Sequence, residues 1–323
     1  MKAWYLGTEG SKTFLEPREA AVPKPGPGEL LVKVKAASLN RGEFMAGIGL
    51  HKPGAVKPAG QEAAGVVEAL GAGVSGFAVG DEVFGRAPGG FAEFALMHSD
   101  ETMRKPESMR WEEAASVPLV FLVTYDMLVQ NGKLAAQEWL LVTGASSGVG
   151  VASIQMAKLL GARVIGTSGS ADKLGQLKSL GLDVGIVTRA PDFAAQVREA
   201  TDGKGVDLVV NNVGGTVFSE CLRCMAFQGR LATVGYVDGS LKSDIDLEAL
   251  HSQRLHLFGV SNKNRTPAQR AATVQGFVRD ILPAINDRRI RPLIDRMFGF
   301  AELPQAKQYM ESNAQVGKIV ITH

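Results

Sequence analysis

Cysteine is almost missing from this chain: Cys221 and Cys224 are the only two in 323 residues. Two thiols cannot build a disulfide framework, so a reducing compartment, the cytoplasm, is the expected setting. An excess of one charge is missing too. With 35 basic and 33 acidic side chains the net charge is +2, which leaves no electrostatic footprint for nucleic acid. Long apolar runs are lacking. The longest, Val117 to Val123, is far too short to span a bilayer, and the opening M-K-A-W-Y-L-G-T-E-G has no signal-peptide core. No internal repeat or low-complexity segment stands out. The expected partner is therefore a small molecule, with neither nucleic acid nor membrane.

What is abundant is glycine, 38 residues in a chain that is 45% hydrophobic and 21% charged. That apolar fraction argues against disorder, so the glycines read as closures of tight connections in an α/β protein. The length fits about two domains.

The chain is organised around Trp139 to Ala157, W-L-L-V-T-G-A-S-S-G-V-G-V-A-S-I-Q-M-A. Trp139 to Val142 is a continuous apolar run, as expected of a parallel strand buried on both faces. It breaks into Gly144-Ala145-Ser146-Ser147-Gly148-Val149-Gly150, after which Val149 and Ile154 take up helical spacing. A strand that turns through glycines into a helix aims backbone N–H groups at one point. There the helix dipole favours an anion such as pyrophosphate. Gly148 and Gly150 are the positions of close approach. The bland alternative is a glycine-rich connection that binds nothing.

Residues 1–100 read as short strands, among them Met1–Tyr5, Glu29–Ala36 and Ala64–Glu68, separated by Pro-Gly clusters such as residues 23–28. This is an all-β, barrel-like lobe. From Trp111, W-E-E-A-A-S-V-P and L-V-F-L-V-T-Y-D-M-L-V read as two helices, the second ended by Gly132. Beyond the glycine turn, strands at Arg163–Gly166, Val184–Val187, Val206–Val210, Gly229–Val234 and His256–Val260 alternate with helices at Ala171–Leu180, Phe193–Thr201 and Phe218–Phe227. Alternating βα units predict a doubly wound, mostly parallel sheet. A long helix, Thr266–Ile285, and a strand, Lys318–Thr322, break the alternation, so the tail is expected to return to the first lobe. The expected division is residues 1–118 with 262–323 in one domain and 119–261 in a nucleotide-binding domain.

Dinucleotide sites often end their second strand on an acid that holds the adenosine ribose. Here that strand runs into Thr167-Ser168-Gly169-Ser170, with no carboxylate until Asp172. A carboxylate would repel a 2′-phosphate, whereas hydroxyls such as Ser168 and the nearby Lys173 would accept one. NADPH is therefore expected over NADH. The alternative for Lys173 is a solvated helix residue.

Thr143 to Gly150 also fits T-G-x-x-x-G-x-G, the fingerprint of short-chain dehydrogenases, and Asn211-Asn212-Val213-Gly214 resembles their N-N-A-G. That family needs a Tyr-x-x-x-Lys pair. Four residues past Tyr5, Tyr125, Tyr236 and Tyr309 stand Glu9, Val129, Ser240 and Asn313, so the rival fails. Six motifs in order carry a different resemblance: P-x-P-G-x-G-E-L-L-V-K-V from Pro23, A-A-S-L-N-R-G-E from Ala36, P-A-G-Q-E-A-A-G-V-V from Pro58, V-G-D-E-V from Val79, A-S-S-G-V-G from Ala145 and V-G-K-I-V-I from Val316. Together they resemble the medium-chain dehydrogenase/reductase superfamily, and within it the zinc-free NADPH:quinone oxidoreductase (zeta-crystallin-like) branch.

The resemblance implies a Rossmann doubly wound parallel sheet plus a GroES-like β-barrel catalytic domain built from the two chain ends, with the active site in the cleft. It implies a homodimer paired through the last strand of the nucleotide sheet, for which His256–Val260 is the candidate; burial inside is the alternative. It also settles which metal ligands to look for. Where the alcohol-dehydrogenase branch has a Cys, this chain has Asn40. Where that branch has His-Glu, this chain has Gln61-Glu62, and residues 88–110 hold no Cys for a structural zinc. None of the five histidines has a Cys or His partner at ligand spacing, so no metal is expected. Cys221-Leu222-Arg223-Cys224 has redox spacing but falls on an expected helix, where packing cysteines are the simpler reading.

Hydride can add to an electron-poor quinone or enone without a metal, provided the protein aligns the reactants and hydrogen-bonds the developing oxyanion. Asn40, in the place of a metal ligand, is the first candidate for that bond; a turn asparagine is the alternative. Tyr125, following Thr124, matches a polar position near the cofactor in the family, with a core aromatic as the alternative. The resemblance also lays Asn211, Val213, Gly235-Tyr236 and Gly259-Val260-Ser261 along the cofactor. Phe44, Met45, Ile48 and Leu50 are candidates to line an apolar slot, or simply to pack on the barrel. Related enoyl-thioester reductases carry a Tyr shortly after the Asn40 position, and this chain has none between Glu43 and Leu50. The expected function is an NADPH-dependent, metal-independent quinone or enone reductase. The alternatives are an enoyl-thioester or other α,β-unsaturated carbonyl reductase, and a non-catalytic NADPH-binding protein.

Overall fold

The computed structural model describes residues 1–10, 12–45 and 56–323. It divides into two compact units, one formed by Met1–Leu122 with Arg265–His323 and the other by Val123–Asn264.

The first unit begins with β1 (Lys2–Glu9), β2 (Lys12–Glu19), β3 (Glu29–Ser38), β4 (Lys57–Pro58), β5 (Glu62–Leu70), β6 (Glu82–Arg86), β7 (Phe94–His98) and β8 (Thr102–Arg104). A short helix α1 (Trp111–Ala115) and the start of α2 (Pro118–Tyr125) follow. β3 organises this unit. Its run E-L-L-V-K-V-K-A-A-S is buried at most positions, and it pairs antiparallel with both β5 and β7. Trp4, Leu30, Val32, Phe44 and Phe91 belong to the core beneath it.

In the second unit a single π-helical turn, Asp126–Asn131, continues α2 and is capped by Gly132. Then come β9 (Trp139–Thr143), α3 (Gly148–Leu159), β10 (Arg163–Ser168), α4 (Ala171–Lys178), β11 (Val184–Val187), α5 (Ala194–Ala200), β12 (Val206–Asn211), α6 (Phe218–Arg223), β13 (Met225–Thr233), α7 (Leu247–Ser252) and β14 (His256–Gly259). All five strand pairs are parallel, in the order β11-β10-β9-β12-β13-β14. The order reverses between β9 and β12, the switch point at which open α/β sheets bind ligands outside their carboxyl ends. Leu141, Ile165, Val209 and Leu231 are buried where the helices cover this sheet.

The chain returns to the first unit with α8 (Pro267–Asp280), α9 (Leu282–Asn286), β15 (Ile294–Gly299), α10 (Leu303–Glu311) and β16 (Lys318–Thr322). β16 adds antiparallel to β3, with Val320 opposite Ser38. The strand order there is β15-β16-β3-β5-β6-β8 with β7 also on β3, beside a separate sheet β2-β1-β4.

Three expectations change. The all-β lobe is two sheets whose described pairings do not close into a barrel. The helix expected over Thr266–Ile285 is two helices hinged at Ile281, whose φ is −118°. Pro283 supplies the reason: it has no N–H for the carbonyl a turn earlier, and its ring crowds that carbonyl. The helix expected to reach Phe227 stops at Arg223, because Met225 already pairs with Val206 in the sheet. Among the described residues no helix is long and apolar enough to cross a membrane.

Candidate active site and cofactor turn

In the first unit three strand ends meet. Antiparallel pairing of β3 with β5 sets Ala37 opposite Ala63, which brings Ser38 and Glu62 side by side. The β16 pairing then delivers Lys318 to the same spot. Glu62 Oε1 accepts from Ser38 Oγ at 2.6 Å, from Asn40 Nδ2 at 2.6 Å and from Lys318 Nζ at 2.9 Å. Glu62 Oε2 accepts from the Leu119 backbone N–H at 2.7 Å, in the first turn of α2. Lys318 Nζ spends its other two protons on Leu39 O and Asn40 Oδ1, both at 2.8 Å. Glu62 is fully buried, Lys318 is 4% exposed, and only Asn40 of the polar set is half-buried.

This network fixes which way round the Asn40 amide stands. An ammonium only donates and a carboxylate only accepts, so Oδ1 must face Lys318 and Nδ2 must face Glu62. Among the described residues one Nδ2–H is left without a partner. The same donor set does not suit a metal. Its oxygens already surround an ammonium, and among the described residues no three His, Cys, Asp or Glu side chains come together as ligands.

Glu43 lies one short turn from Asn40, within the 3₁₀ segment Arg41–Phe44. Its Oε1 accepts the Gly60 N–H at 2.6 Å, while Oε2, also buried, has no hydrogen-bond partner among the described residues. Burial pushes this carboxyl from 4.5 up to about 7, against the Gly60 hydrogen bond, which lowers it. Phe44 is in the core, its ring 6.5 Å from that of Phe91, rather than in a slot. Met45 is half-buried. Ile48 and Leu50 lie outside the described residues.

In the second unit the sequence-derived cofactor residues gather at the carboxyl ends of the parallel strands. β9 leads into Gly144, whose φ of +60° is left-handed, and the turn then enters α3. A β-carbon on Gly150 would lie 2.4 Å from the Ala145 carbonyl oxygen, so only glycine lets the helix start this close to the turn. Ser147 caps the helix by accepting the Gly150 N–H at 3.0 Å. A helix start leaves further N–H groups without intrahelical partners, and here those are Gly148 and Val149. Ala145 is buried, and Ser146 is half-buried beside them.

Asn211 ends β12, and its amide is mostly spent within the turn that follows. Oδ1 accepts from Thr143 Oγ1 and from the Val213 and Gly214 N–H groups, each at 3.1 Å, and Nδ2 donates to Gly214 O at 2.9 Å. It braces the turn that presents Val213. Gly235 packs on the Asn212 backbone beyond β13, and Tyr236 beside it is exposed. Gly259 has open space around its α-carbon, Val260 is buried, and Ser261 Oγ accepts the Lys263 N–H at 3.2 Å. Thr124 is fully buried, yet its hydroxyl has no hydrogen-bond partner among the described residues. Tyr125 is 3% exposed.

Ser168 closes β10 and is nearly buried, with Lys173 half-buried one turn into α4. Sequence reasoning missed a third group here. A β-carbon on Gly169 would lie 2.4 Å from Arg189 Nε, so the guanidinium rests on the strand end, with no hydrogen bond or ion pair of its own among the described residues. It missed the Glu62–Lys318 pair as well. The available signal was a charged residue at the head of each of two apolar strands, which must be paired to be buried.

Two remaining motifs resolve simply. β14 is the open edge of the parallel sheet rather than an interior strand. Cys221 and Cys224 are buried, with Cys224 Sγ against Glu220 O at 3.2 Å. Burial pushes the Cys224 thiol up to about 12 and Cys221 in the same direction, the opposite of a redox pair.

Two family models match: an alcohol dehydrogenase GroES-like domain over residues 26–107 and a zinc-binding dehydrogenase over residues 148–275. The human synaptic vesicle membrane protein VAT-1 homolog is 31% identical over 96% of this chain and 83% of its own length. A mycobacterial protein solved as a complex with NADPH superposes with a TM-score of 0.91, at 29% identity and full coverage of both chains. Quinone oxidoreductase from Escherichia coli, also solved with NADPH, gives 0.89 at 25% identity, again over all of both chains. The chain is also 30% identical, over 97% of its length, to a polyketide synthase subunit of Mycobacterium tuberculosis, of which it spans only 14%.

Proposed function

The chain belongs to the medium-chain dehydrogenase/reductase superfamily, in its zinc-free quinone oxidoreductase branch, and from that premise we propose that it is an NADPH-dependent, metal-independent reductase of quinones or enones. The observation that carries this reading is the glycine turn at the sheet's switch point, with its Gly148 and Val149 amides unspent. The pyrophosphate belongs on those amides, where helix dipole and N–H groups converge. The orphaned Thr124 hydroxyl offers a buried hydrogen bond to the cofactor, with Tyr125 beside it. Val213, Gly235, Tyr236, Gly259, Val260 and Ser261 line the strand ends along it, and Asn211 holds Val213 in place. At the adenosine end Ser168, Lys173 and Arg189 supply a hydroxyl and two cations for a 2′-phosphate.

Bound NADPH supplies a hydride. The protein's own part is to orient the acceptor and to stabilise the negative charge that develops on its oxygen. Asn40 is the group for that task, through the one amide N–H its neighbours leave over. The proton comes from solvent or from a cofactor hydroxyl.

The edge strand β14, with Phe227, Tyr236, Leu241 and Leu247 exposed nearby in sequence, supports a homodimer. Light scattering in solution should return twice the chain mass.

The activity test is NADPH oxidation followed spectrophotometrically with 1,4-benzoquinone, 9,10-phenanthrenequinone, a simple enone and crotonyl-CoA. Turnover of the quinones or enone supports the reading. Turnover of crotonyl-CoA alone would move the substrate to acyl thioesters, and tight NADPH binding without oxidation would make the protein a non-catalytic binder.

A further inference from the structure

The Lys318 ammonium touches nothing outside the protein, since its three protons are spent on Leu39 O, Asn40 Oδ1 and Glu62 Oε1 within 2.9 Å. Its effect must therefore pass through a neighbour, and one neighbour transmits charge. An amide whose carbonyl oxygen accepts from a cation loses electron density from its nitrogen, so its N–H becomes a better donor. Hydrogen bonds in a chain strengthen one another in this way, most where the surroundings exclude water. Glu62 alone would do the reverse. A carboxylate beside Asn40 opposes negative charge arriving on an acceptor, and Lys318 offsets it.

We propose that Lys318 is a positioning residue that acts through Asn40. It fixes the amide with Oδ1 inward, polarises it, and so strengthens the remaining Nδ2–H toward an acceptor oxygen. A cation built into the chain thereby does at second hand what a bound Lewis acid would do by contact. This inference rests on the reading of Asn40 given above.

The experiment compares wild type, Asn40→Ala, and the paired variant Lys318→Met with Glu62→Gln, which leaves no buried charge without its counterion. A lost oxyanion donor lowers kcat by roughly 100- to 1,000-fold, so loss of polarisation should lower it by at least about tenfold. The Kd for NADPH, measured by fluorescence, should stay within about twofold, since the glycine turn is untouched. Addition of methylammonium to Lys318→Ala should restore part of the rate, and should not do so when Asn40 is also Ala. A purely structural lysine does not predict that rescue. The Asn40 side-chain amide proton should resonate downfield in wild type and move upfield in the paired variant.

A paired variant that turns over at the wild-type rate while Asn40→Ala is slow overturns the role of Lys318 and leaves Asn40 standing. A fully active Asn40→Ala removes both. An Asn40 amide resonance that does not move between wild type and the paired variant overturns the inference whatever the enzyme reduces.

Discussion

The two units handle polar groups in opposite ways. At the strand ends of the first unit, side chains satisfy one another almost completely: Glu62 accepts four hydrogen bonds, Lys318 donates three, and one amide proton of Asn40 is left. In the second unit the Gly148 and Val149 N–H groups have no intrahelical partner, and the Thr124 hydroxyl in α2 makes no hydrogen bond among the described residues. A saturated network holds a shape, whereas unspent donors wait for a ligand. On the proposed function, the comparison separates the site that must be rigid before chemistry from the one completed by binding.

The largest effect should come from breaking the saturated side. Glu62→Ala leaves the Lys318 ammonium buried without its carboxylate, which should cost about 3–5 kcal/mol. A fall in the urea midpoint far larger than that of an equally buried apolar truncation would show it; an unchanged midpoint would mean the pair is not holding the strand ends.

Glu43 is the exception within that unit, and pH exposes it. The folded-state value of about 7 lies above the reference 4.5, so the folded protein holds the proton longer than the unfolded chain does. Stability should therefore fall as pH rises from 4.5 through 7, by about 3 kcal/mol at 1.36 kcal/mol per unit, and level off above. Glu43→Gln keeps an acceptor for the Gly60 N–H and should flatten that slope, raising stability at pH 8 and not at pH 4. A parallel slope in both proteins would dismiss the buried acid.

The unspent side was the more legible of the two in the sequence. A glycine turn between an apolar strand and a helix is a local constraint, written in seven consecutive residues from Gly144 to Gly150. The parallel sheet was readable for the same reason, since each strand lies beside its own helix in the chain. The network around Glu62 is assembled from residues 38–40, 62, 119 and 318, so no window of sequence contains it. Arg189 was equally hidden: only the packing of one loop over Gly169 sets it beside Ser168. The break at Ile281 was visible as Pro283 but was outweighed by the helical pattern on either side.

A smaller effect tests the anion end of the second unit. Lys173→Ala and Arg189→Ala should each raise the KM for NADPH by roughly 10- to 100-fold, as a charge-assisted contact of about 1.5–3 kcal/mol requires, and leave NADH nearly unchanged. Equal changes for both cofactors would take the 2′-phosphate away from these cations. The smallest effect should be none at all. With both thiols buried and raised, the native protein should not react with a thiol reagent until it is unfolded, and activity should be the same in oxidising and reducing buffer.

The order in which the chain is made gives the Glu62–Lys318 bond one more consequence. The two residues are 256 apart, and the whole of the second unit, Val123–Asn264, is translated between them. On the ribosome the nucleotide-binding unit can finish folding while the first unit still lacks β15 and β16. Until the last strand emerges, Glu62 has no counterion and belongs in water. Closure of the first unit is thus deferred until residue 318 has been made, and a nascent chain stalled before it should hold a protease-resistant second unit beside a first unit that is readily cut.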